Sequence, residues 1–369
     1  MTGKKKVLLC SPYNTFIGGI STWASHIVEY YNSADIDNLQ LDVFPLNRNK
    51  PVYTMFAIPK RVTLGLKDYI PLIWKFGKII KSKKYDLIHL VSSASFGLIK
   101  DIVMLKMASK NKVKTVIHFR FGRIPELYKN NNWEKILLDL TIRLADCAIV
   151  IDKASYDSLI KQGYGHIRLL PNPLGLTVNK IISCSPIKRE KNIIVFVGQV
   201  LPAKGIFELV EASREIPNIK LKIIGPVTDK VKKEIIRIAG ANNGWVEITG
   251  EKDYESTIKE MLSAGVFVLP SHTEGFPNVI LESMACGCPI VASAVGAIPE
   301  MLDINGDTPA GICIEPQNTE QLKIALLKMI NDKKLASTYG ENAKWRVNQI
   351  YSMPVVWEQL VRIWECLIG

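Results

Sequence analysis

Two glutamates separated by seven residues frame a turn that could hold a phosphorylated sugar. Glu274 and Glu282 lie in the stretch EGFPNVILE, which follows an apolar run. Pro277 fits the first position of a helix and Gly287 the position just past its end. The backbone N–H groups from Gly275 to Asn278 would then face an anion at the start of that helix. A carboxylate accepts hydrogen bonds from hydroxyl groups, so this turn predicts a site for a sugar and a ribose beside a pyrophosphate.

The plain alternative for the same turn is structural. Glu274 would then stabilise the helix dipole, and Glu282 would be an exposed surface residue. The combination of turn, helix start and two carboxylates favours the functional interpretation.

Two other loops have residues suited to phosphate. Gly18 and Gly19 precede a predicted helix at 22–31, where paired glycines let the backbone approach an anion, although the pair also fits a tight turn. Lys204 follows Gly198 and Gln199 after another apolar run, and a lysine there offers a point charge to a phosphate. A solvated surface lysine is the ordinary alternative.

These loops need elements to position them, and short β-branched runs alternate with helix-length amphipathic segments along the whole chain. Nearly continuous Val, Ile and Leu is typical of strands buried on both faces of a parallel sheet. Helix-length connections favour right-handed β-α-β units. The predicted strands are 6–10, 39–44, 87–91, 113–118, 147–151, 167–170, 193–198, 220–224, 246–249, 266–269, 289–292 and 311–314.

A break in this alternation near 171–191 divides the chain. Pro, Asn, Gly and Ser collect there and the hydrophobic period is lost. The sequence therefore predicts an α/β protein with two Rossmann-like domains that face each other across a cleft. Ligands of open parallel sheets bind outside the carboxyl ends of the strands, which is where the three loops lie.

Length and composition agree with two globular domains. The chain has 369 residues and 41.3 kDa, with 47% hydrophobic and 22% charged residues. Its apolar stretches, such as 264–270, fall far short of the roughly 20 residues that span a bilayer. The apolar run 7–10 is too short for a signal peptide. Seven scattered cysteines favour a reducing cytoplasm over a disulfide framework.

The charge is concentrated in the first half. Residues 1–190 carry a net charge of +15 and residues 191–369 a net charge of −3, which suggests an anionic partner for the first half. A helix at 67–81 places Ile70 and Trp74 among its lysines. This pattern fits an interfacial membrane helix on anionic lipid or an ordinary helix with a solvated lysine face. Nucleic acid is less favoured, because no recognised binding motif accompanies the charge.

The stretch from Glu274 to Glu282 resembles the signature of the family-four retaining glycosyltransferases of the GT-B fold. The segments 194–212 and 285–301 are similar to the family pattern on either side of it. In the first half, the glycine pair 18–19 resembles the family's donor loop, and His118 resembles a histidine that faces the reacting sugar. The resemblance is dense over about 190–315 and sparser over 1–175.

The resemblance implies transfer of a sugar from a nucleotide-diphosphate sugar, with retention of configuration. The acceptor would be a saccharide or a lipid-linked saccharide in cell-surface polysaccharide assembly, such as lipopolysaccharide, capsule or exopolysaccharide. It implies no metal or other cofactor. The expected location is the cytoplasm, with the interfacial interpretation of the helix at 67–81 adding peripheral contact with the cytoplasmic face of the plasma membrane.

The break in the pattern predicts domains at 1–175 and 191–346 with a linker at 176–190. The resemblance implies that the first domain is on the acceptor side and that the second binds the donor. A terminal helix at 347–369 would cross back to the first domain.

Residue roles follow from the resemblance in the same way. Glu274 would bind hydroxyls of the donor sugar and Glu282 the ribose. Lys204 would neutralise the leaving diphosphate, and His118 would contact the sugar near its reacting carbon. The remaining donor-binding positions would be Gly18, Gly19, Gln199, Gly275, Phe276, Pro277 and Asn278.

Gln199 is a departure from the family pattern, which usually has Arg there, and it removes one of two cations expected on the diphosphate. Either Arg120 or Arg123 replaces that cation, or turnover is weak. Two alternatives stay open at this point. One is a nucleotide-sugar epimerase or hydrolase of the same fold, and the other is a subunit that binds a nucleotide sugar without turning it over.

Overall fold

The computed structural model describes residues 4–13, 19–47, 58–82, 84–130 and 132–369, with side chains in the helix at 58–82 described from Asp68 onward. The contacts within the chain form two compact units. Unit 1 comprises Met1–Asn172 and Val356–Gly369, and unit 2 comprises Pro173–Val355.

Unit 1 is built on a six-stranded sheet in the order β2-β1-β3-β4-β5-β6, with every neighbouring pair parallel. Its core consists mainly of buried aliphatic and aromatic residues from the strands and the helices that cover them. The elements are β1 (Lys5–Ser11), α1 (Gly19–Ser33), β2 (Leu39–Pro45), α2 (Ile58–Ser82), β3 (Leu87–Ser92), α3 (Gly97–Lys110), β4 (Lys114–Phe119), α4 (Ile124–Asn130), α5 (Trp133–Leu144), β5 (Cys147–Val150), α6 (Lys153–Lys161) and β6 (Ile167–Leu169).

Unit 2 repeats this plan with a six-stranded parallel sheet in the order β12-β11-β10-β7-β8-β9. A short 3-10 turn, Pro202–Lys204, precedes its second helix. The elements are α7 (Leu176–Ser183), β7 (Glu190–Val197), α8 (Ile206–Arg214), β8 (Lys220–Ile224), α9 (Asp229–Ala239), β9 (Val246–Gly250), α10 (Tyr254–Ser263), β10 (Ala264–Leu269), α11 (Asn278–Ala285), β11 (Ile290–Ser293), α12 (Ile298–Met301), β12 (Ile312–Ile314), α13 (Thr319–Asn331) and α14 (Lys333–Ile350).

All twelve predicted strands are present, with bounds that shift by three residues or fewer. The central strand β10 shows why they were recognisable, since each of its six residues is buried. A strand covered on both faces has no polar face to interrupt its apolar run. The prediction of two parallel α/β sheets is therefore confirmed.

The segment predicted as a linker, 176–190, is partly helical. It contains α7, whose Val178 and Ile181 are buried within unit 2. The boundary between the units lies earlier, between Asn172 and Pro173. Two apolar residues three positions apart were too short a pattern to predict this helix beside so many Pro, Asn and Ser residues.

The last helix, α15 (Met353–Ile368), belongs to unit 1 from Val356 onward. There the ring of Trp357 lies 5.6 Å from that of Tyr30, and Trp364 is fully buried. The helix starts later than the predicted 347, because α14 continues to Ile350.

The helix α2 has the two faces expected from its sequence. Phe76 and Ile80 are buried in the core of unit 1, whereas Ile70 and Trp74 are 63% and 60% exposed. The ammonium of Lys78 lies 3.5 Å from the centre of the Trp74 ring. Among the described helices, none combines the length and apolarity needed to span a bilayer.

Candidate active site

The strand order of unit 2 reverses between β7 and β10. These two strands lie side by side in the sheet, although β7 ends at Val197 and β10 begins only at Ala264. The loops after these two strands leave in opposite directions, and this opens a crevice at their carboxyl ends. One loop carries Lys204 and the other carries Glu274. The topology thus brings two predicted site residues to one place.

A glycine allows the two loops to touch. Gly205 has a φ of +68°, and a Cβ on it would lie 2.0 Å from the carbonyl oxygen of Pro270. The N–H of His272 donates to the carbonyl of Ala203 across 3.0 Å. Because any side chain at Gly205 would push the loops apart, this position fixes Lys204 at the end of β10.

Lys204 and Glu274 form an ion pair with 2.6 Å between Nζ and Oε1. The hydroxyl of Ser271 donates to the same carboxylate oxygen across 2.7 Å. Both charged side chains are mostly buried, with 27% and 12% of their surfaces exposed. The cation that could face a diphosphate is therefore held by the carboxylate that could face a sugar.

The turn at Glu274 is braced by the loop after β11. Gly296 has a φ of +55°, and a Cβ there would lie 2.4 Å from the carbonyl oxygen of Glu274. The N–H of Ala297 donates to the carbonyl of Gly275 across 2.8 Å. The buried ring of Phe276 packs edge-on against Tyr351, with 5.8 Å between ring centres.

The helix after this turn begins one residue later than predicted. Asn278 is the first residue of α11, and Pro277 is its N-cap, with a φ of −75° and a ψ of 116°. The prediction that Pro277 occupies the first helical position was therefore wrong by one residue, because its ψ is extended. Gly287 lies just past the end of the helix with a φ of +61°, as predicted.

Glu282 lies two turns into α11 and accepts a hydrogen bond of 3.0 Å from the hydroxyl of Tyr254. The pKa of Glu282 is raised to about 7, because burial raises it more than the hydrogen bond from Tyr254 lowers it. Glu282 thus changes charge near neutral pH. Tyr254 and Ser271 are contacts of the two glutamates that the sequence did not single out.

In unit 1 the corresponding reversal lies between β1 and β3. Gly19 is the first residue of α1, and Gly18 lies outside the described residues. His118, in β4, is fully buried, with its Nδ1 3.2 Å from Nε2 of His89. The indole N–H of Trp364 donates to Nδ1 of His89 across 3.0 Å.

His89 and His118 are both neutral. Burial and, to a lesser extent, the positive charge of Arg120 lower the pKa of His89 to about 3. Burial also holds the pKa of His118 well below its usual range, and Arg120 and His89 add to the effect. Burial lowers the pKa of Arg120 itself to about 9.

Two family models together cover most of the sequence. The model described as glycosyl transferases group 1 matches residues 178–346, and the model described as glycosyltransferase family 4 matches residues 17–177. The chain belongs to the glycosyltransferases that these two models together describe. The predicted family membership is thereby confirmed.

Relatives and a solved structure agree with this assignment. The glycosyltransferase is 28% identical over 358 residues to an uncharacterized glycosyltransferase of Methanocaldococcus jannaschii, covering 96% of this chain and 95% of that one. It is 31% identical over 183 residues to the capsular polysaccharide biosynthesis glycosyltransferase CapM of Staphylococcus aureus, covering 48% and 46% of the two chains.

HepE of Anabaena, solved in complex with UDP, superposes with a TM-score of 0.72 at 18% identity over 98% of this chain and all of that one. Structures of HepE with UDP and glucose and with UDP-glucose are also similar to this chain. Together with the two parallel six-stranded sheets, this likeness identifies the GT-B fold, as predicted.

In this glycosyltransferase the two candidate substitutes for the missing arginine differ sharply. Gln199 is exposed in the loop after β7. Arg123 is committed to Glu134, with which its guanidinium forms two hydrogen bonds. The Nε and Nη1 atoms of Arg120 are buried and have no hydrogen-bond partner in the part of the chain that the structure describes.

The sequence did not single out His89 or Trp364, or Trp23 in α1, whose ring lies 4.9 Å from that of His118. A single aromatic residue in a strand or helix is usually part of the core. These residues meet through tertiary contacts, so no local spacing indicated them.

Proposed function

We propose that this glycosyltransferase transfers a hexose from a nucleoside diphosphate sugar, with retention, to a saccharide or lipid-linked saccharide acceptor in cell-surface polysaccharide assembly. The contact of 2.6 Å between Lys204 and Glu274 carries the proposal, because it places a cation and a carboxylate together at the reversal of the donor-side sheet. The UDP and UDP-glucose in the HepE structures support the type of donor. The name of CapM supports the pathway.

The ion pair suggests how the donor enters. The diphosphate takes the ammonium of Lys204 from Glu274, and the released carboxylate accepts hydrogen bonds from the sugar hydroxyls. The start of α11 adds positive potential beside the diphosphate. Lys204 and this helix start then stabilise the charge that develops as the bond from the anomeric carbon to the diphosphate breaks. The proposal includes no metal ion or other cofactor.

The other roles follow the family resemblance. Glu282, in its ionised form, accepts hydrogen bonds from the ribose hydroxyls. His118 contacts the sugar near the reacting carbon through its neutral ring.

The test begins with a thermal-shift screen of nucleoside diphosphates and nucleotide sugars, since a ligand that binds only the folded state raises the melting temperature. UDP and UDP-glucose are expected to raise it. Release of nucleoside diphosphate is then measured with and without saccharide acceptors, and the anomeric configuration of the product is read by NMR. Retention requires that the product keep the configuration of the donor.

Three results would contradict the proposal. Sugar freed or altered without an acceptor would indicate a hydrolase or an epimerase. Donor binding without turnover, over a broad acceptor panel, would indicate a binding subunit. A product of the opposite configuration would exclude retention.

We further propose that α2 rests on the anionic cytoplasmic leaflet of a membrane, so that the enzyme acts from the cytoplasm. The exposed Ile70 and Trp74 lie among Lys75, Lys78 and Lys81. Basic residues near an anionic surface each contribute about 1 kcal/mol. An apolar ring among lysines is the arrangement of an interfacial helix.

Sedimentation with phosphatidylglycerol vesicles at low salt tests this contact. Changing the three lysines to Glu, or Trp74 to Ala, should leave the protein in the supernatant. Trp345→Ala is the matched control, because Trp345 is a comparably exposed tryptophan (53%) on α14. Equal sedimentation of the lysine variant and the wild type would contradict the contact.

A further inference from the structure

Among the described residues of unit 1, four buried side-chain nitrogen atoms have no hydrogen-bond partner. These atoms are Nε1 of Trp23, Nε2 of His118, and Nε and Nη1 of Arg120. We call Trp23, His118 and Arg120 the donor cluster. Buried polar groups are nearly always hydrogen-bonded, so four unpaired atoms on three neighbouring side chains require an explanation.

The three side chains are in contact with one another. The Trp23 ring, 1% exposed, meets the His118 ring edge-on with 4.9 Å between centres. The guanidinium carbon of Arg120 lies 4.8 Å from the centre of the Trp23 ring. The N–H of Arg120 donates to the carbonyl of Ser92 across 3.0 Å, which ties its backbone to the end of β3.

The hydrogen bonds behind the cluster determine that His118 presents a donor. An indole N–H can only donate, so Nδ1 of His89 accepts from Trp364. A neutral His89 then carries its proton on Nε2 and donates it to Nδ1 of His118 across 3.2 Å. A neutral His118 therefore carries its proton on Nε2, the unpartnered atom. Trp364 and His89 act as positioning residues for this tautomer.

The charge of Arg120 is also uncompensated among the described residues. The buried carboxylates described in unit 1 are engaged elsewhere, since Asp101 is paired with Lys100 and Glu134 with Arg123. The third, Asp152, accepts hydrogen bonds from the N–H and the hydroxyl of Ser155. Partial burial of a guanidinium without a counter-charge is unfavourable, and an anion would relieve it. A partner for this cluster must therefore bring several acceptor atoms and a negative charge.

We propose that the donor cluster binds an oxyanion carried by a substrate of this enzyme, a phosphate or a carboxylate group. Such a group offers only acceptors, which matches four donors and no acceptor. Its hydrogen bonds to a guanidinium are charge-assisted and therefore strong. The inference rests on the proposed function only in naming the oxyanion as part of a glycosyltransferase substrate.

Three sources share this chemistry, and titration calorimetry at low salt distinguishes them. The probes are geranyl phosphate for a lipid acceptor, UDP for the donor diphosphate, and glucuronate for a sugar carboxylate. Wild type should bind at least one of them about tenfold more tightly than Arg120→Gln does, and several-fold more tightly than Trp23→Phe does. Arg143→Gln is the matched control, because Arg143 is an exposed arginine of unit 1 beside the ring of Tyr164, and it should bind like wild type.

Trp23→Phe keeps an aromatic ring but removes the indole N–H together with the pyrrole part of the ring, and it leaves Arg120 in place. It therefore carries the test if Arg120→Gln does not fold. The probe whose affinity falls in the variants identifies the source. Equal affinity of wild type and both variants for all three probes would overturn the proposal, and so would failure of wild type to bind any of them.

The controls separate this inference from the proposed function. If Lys204→Met weakens UDP binding while no probe depends on the donor cluster, only the oxyanion site fails. If UDP does not bind wild type but geranyl phosphate binding depends on Arg120, the donor proposal fails and the oxyanion site stands.

Discussion

In unit 2 the ammonium of Lys204 lies 2.6 Å from the carboxylate of Glu274, whereas in unit 1 no described carboxylate pairs with Arg120. Lys204 and Glu274 follow β7 and β10, which border the reversal of their sheet, and Arg120 follows β4 and is hydrogen-bonded through its backbone to the end of β3, which borders the reversal in unit 1. In unit 2, Ser271 adds a further hydrogen bond. In unit 1, Trp23 and His118 add further unpaired donors.

This difference has consequences for ligand binding. A ligand of the Lys204 site must displace an existing partner, so part of its binding energy is offset by the ion pair that it breaks. The four buried nitrogen atoms of the donor cluster have no partner among the described residues, so a ligand there would satisfy groups that otherwise destabilise the fold. We therefore expect a ligand to stabilise the folded protein more through the donor cluster than through the Lys204 site.

The largest expected effect is on turnover in Glu274→Ala. Loss of the carboxylate removes the proposed contacts to the donor sugar and leaves Lys204 without its ion-pair partner. We expect kcat to fall on the order of 1000-fold, the size seen when a key electrostatic contact to a transition state is lost. Glu211→Ala, on the exposed face of α8, should leave kcat unchanged. A fall of less than tenfold in Glu274→Ala would remove Glu274 from the proposed machinery.

A smaller effect is expected on nucleotide affinity in Lys204→Met. Loss of a charge-assisted bond of about 2 kcal/mol should weaken UDP binding about 30-fold by calorimetry. Lys222→Met is the matched control, because Lys222 also pairs with a glutamate, Glu260, across 2.7 Å. It should lower the melting temperature without changing UDP affinity. Equal UDP affinity in both variants would contradict the role of Lys204.

The effect of pH on UDP-glucose affinity should be smaller than the effect of Lys204→Met on UDP affinity. With the pKa of Glu282 at about 7, its ionised fraction rises about tenfold between pH 6 and pH 8. If the ribose binds the ionised form, UDP-glucose affinity should rise about tenfold over that range in wild type and stay flat in Glu282→Gln. An identical slope in the two proteins would exclude Glu282 from the ribose site.

The raised pKa of Glu282 also predicts a pH dependence of the free energy of unfolding. Its pKa is raised in the folded state, so the folded protein binds the proton more tightly than the unfolded chain. The contribution of Glu282 to the free energy of unfolding should therefore be present below pH 4.5 and be lost as pH rises towards 7. Denaturant titrations of wild type and Glu282→Gln across this range would measure it.

The smallest expected effect sharpens the comparison between paired and unpaired cations. Arg120→Met should raise the melting temperature of the unliganded protein by a few degrees, since it removes buried donors and an unpaired charge. Arg123→Met should lower it, because the buried Glu134 loses its partner. Differential scanning calorimetry measures both. A similar fall in the two variants would show that Arg120 is a structural residue.

The sequence predicted the sheets well because each buried strand is a local pattern of β-branched residues, as in β10. It also predicted Lys204 and Glu274 separately as site residues, since each follows an apolar run in a loop that precedes a helix. Their direct contact was not predicted, because it depends on the close approach of Gly205 to Pro270. The helix α7 was missed because its apolar pattern is short.

The donor cluster shows where such prediction stops. Trp364 and His89 are separated by 275 positions in the sequence and form a hydrogen bond only after the last helix packs in unit 1. Neither the spacing nor the composition around either residue indicates the other. Residues whose chemistry depends on such contacts can be recognised only from the three-dimensional structure.

The return of α15 to unit 1 bears on how the chain matures during translation. The ribosome completes every residue of unit 2 before it adds Trp364, so the surroundings of His89 stay unfinished until then. Residues 1–172 of unit 1 are therefore synthesised before the indole that hydrogen-bonds to His89 is available. A nascent chain stalled before Val356 would therefore be a natural client for chaperones that shield exposed apolar surface.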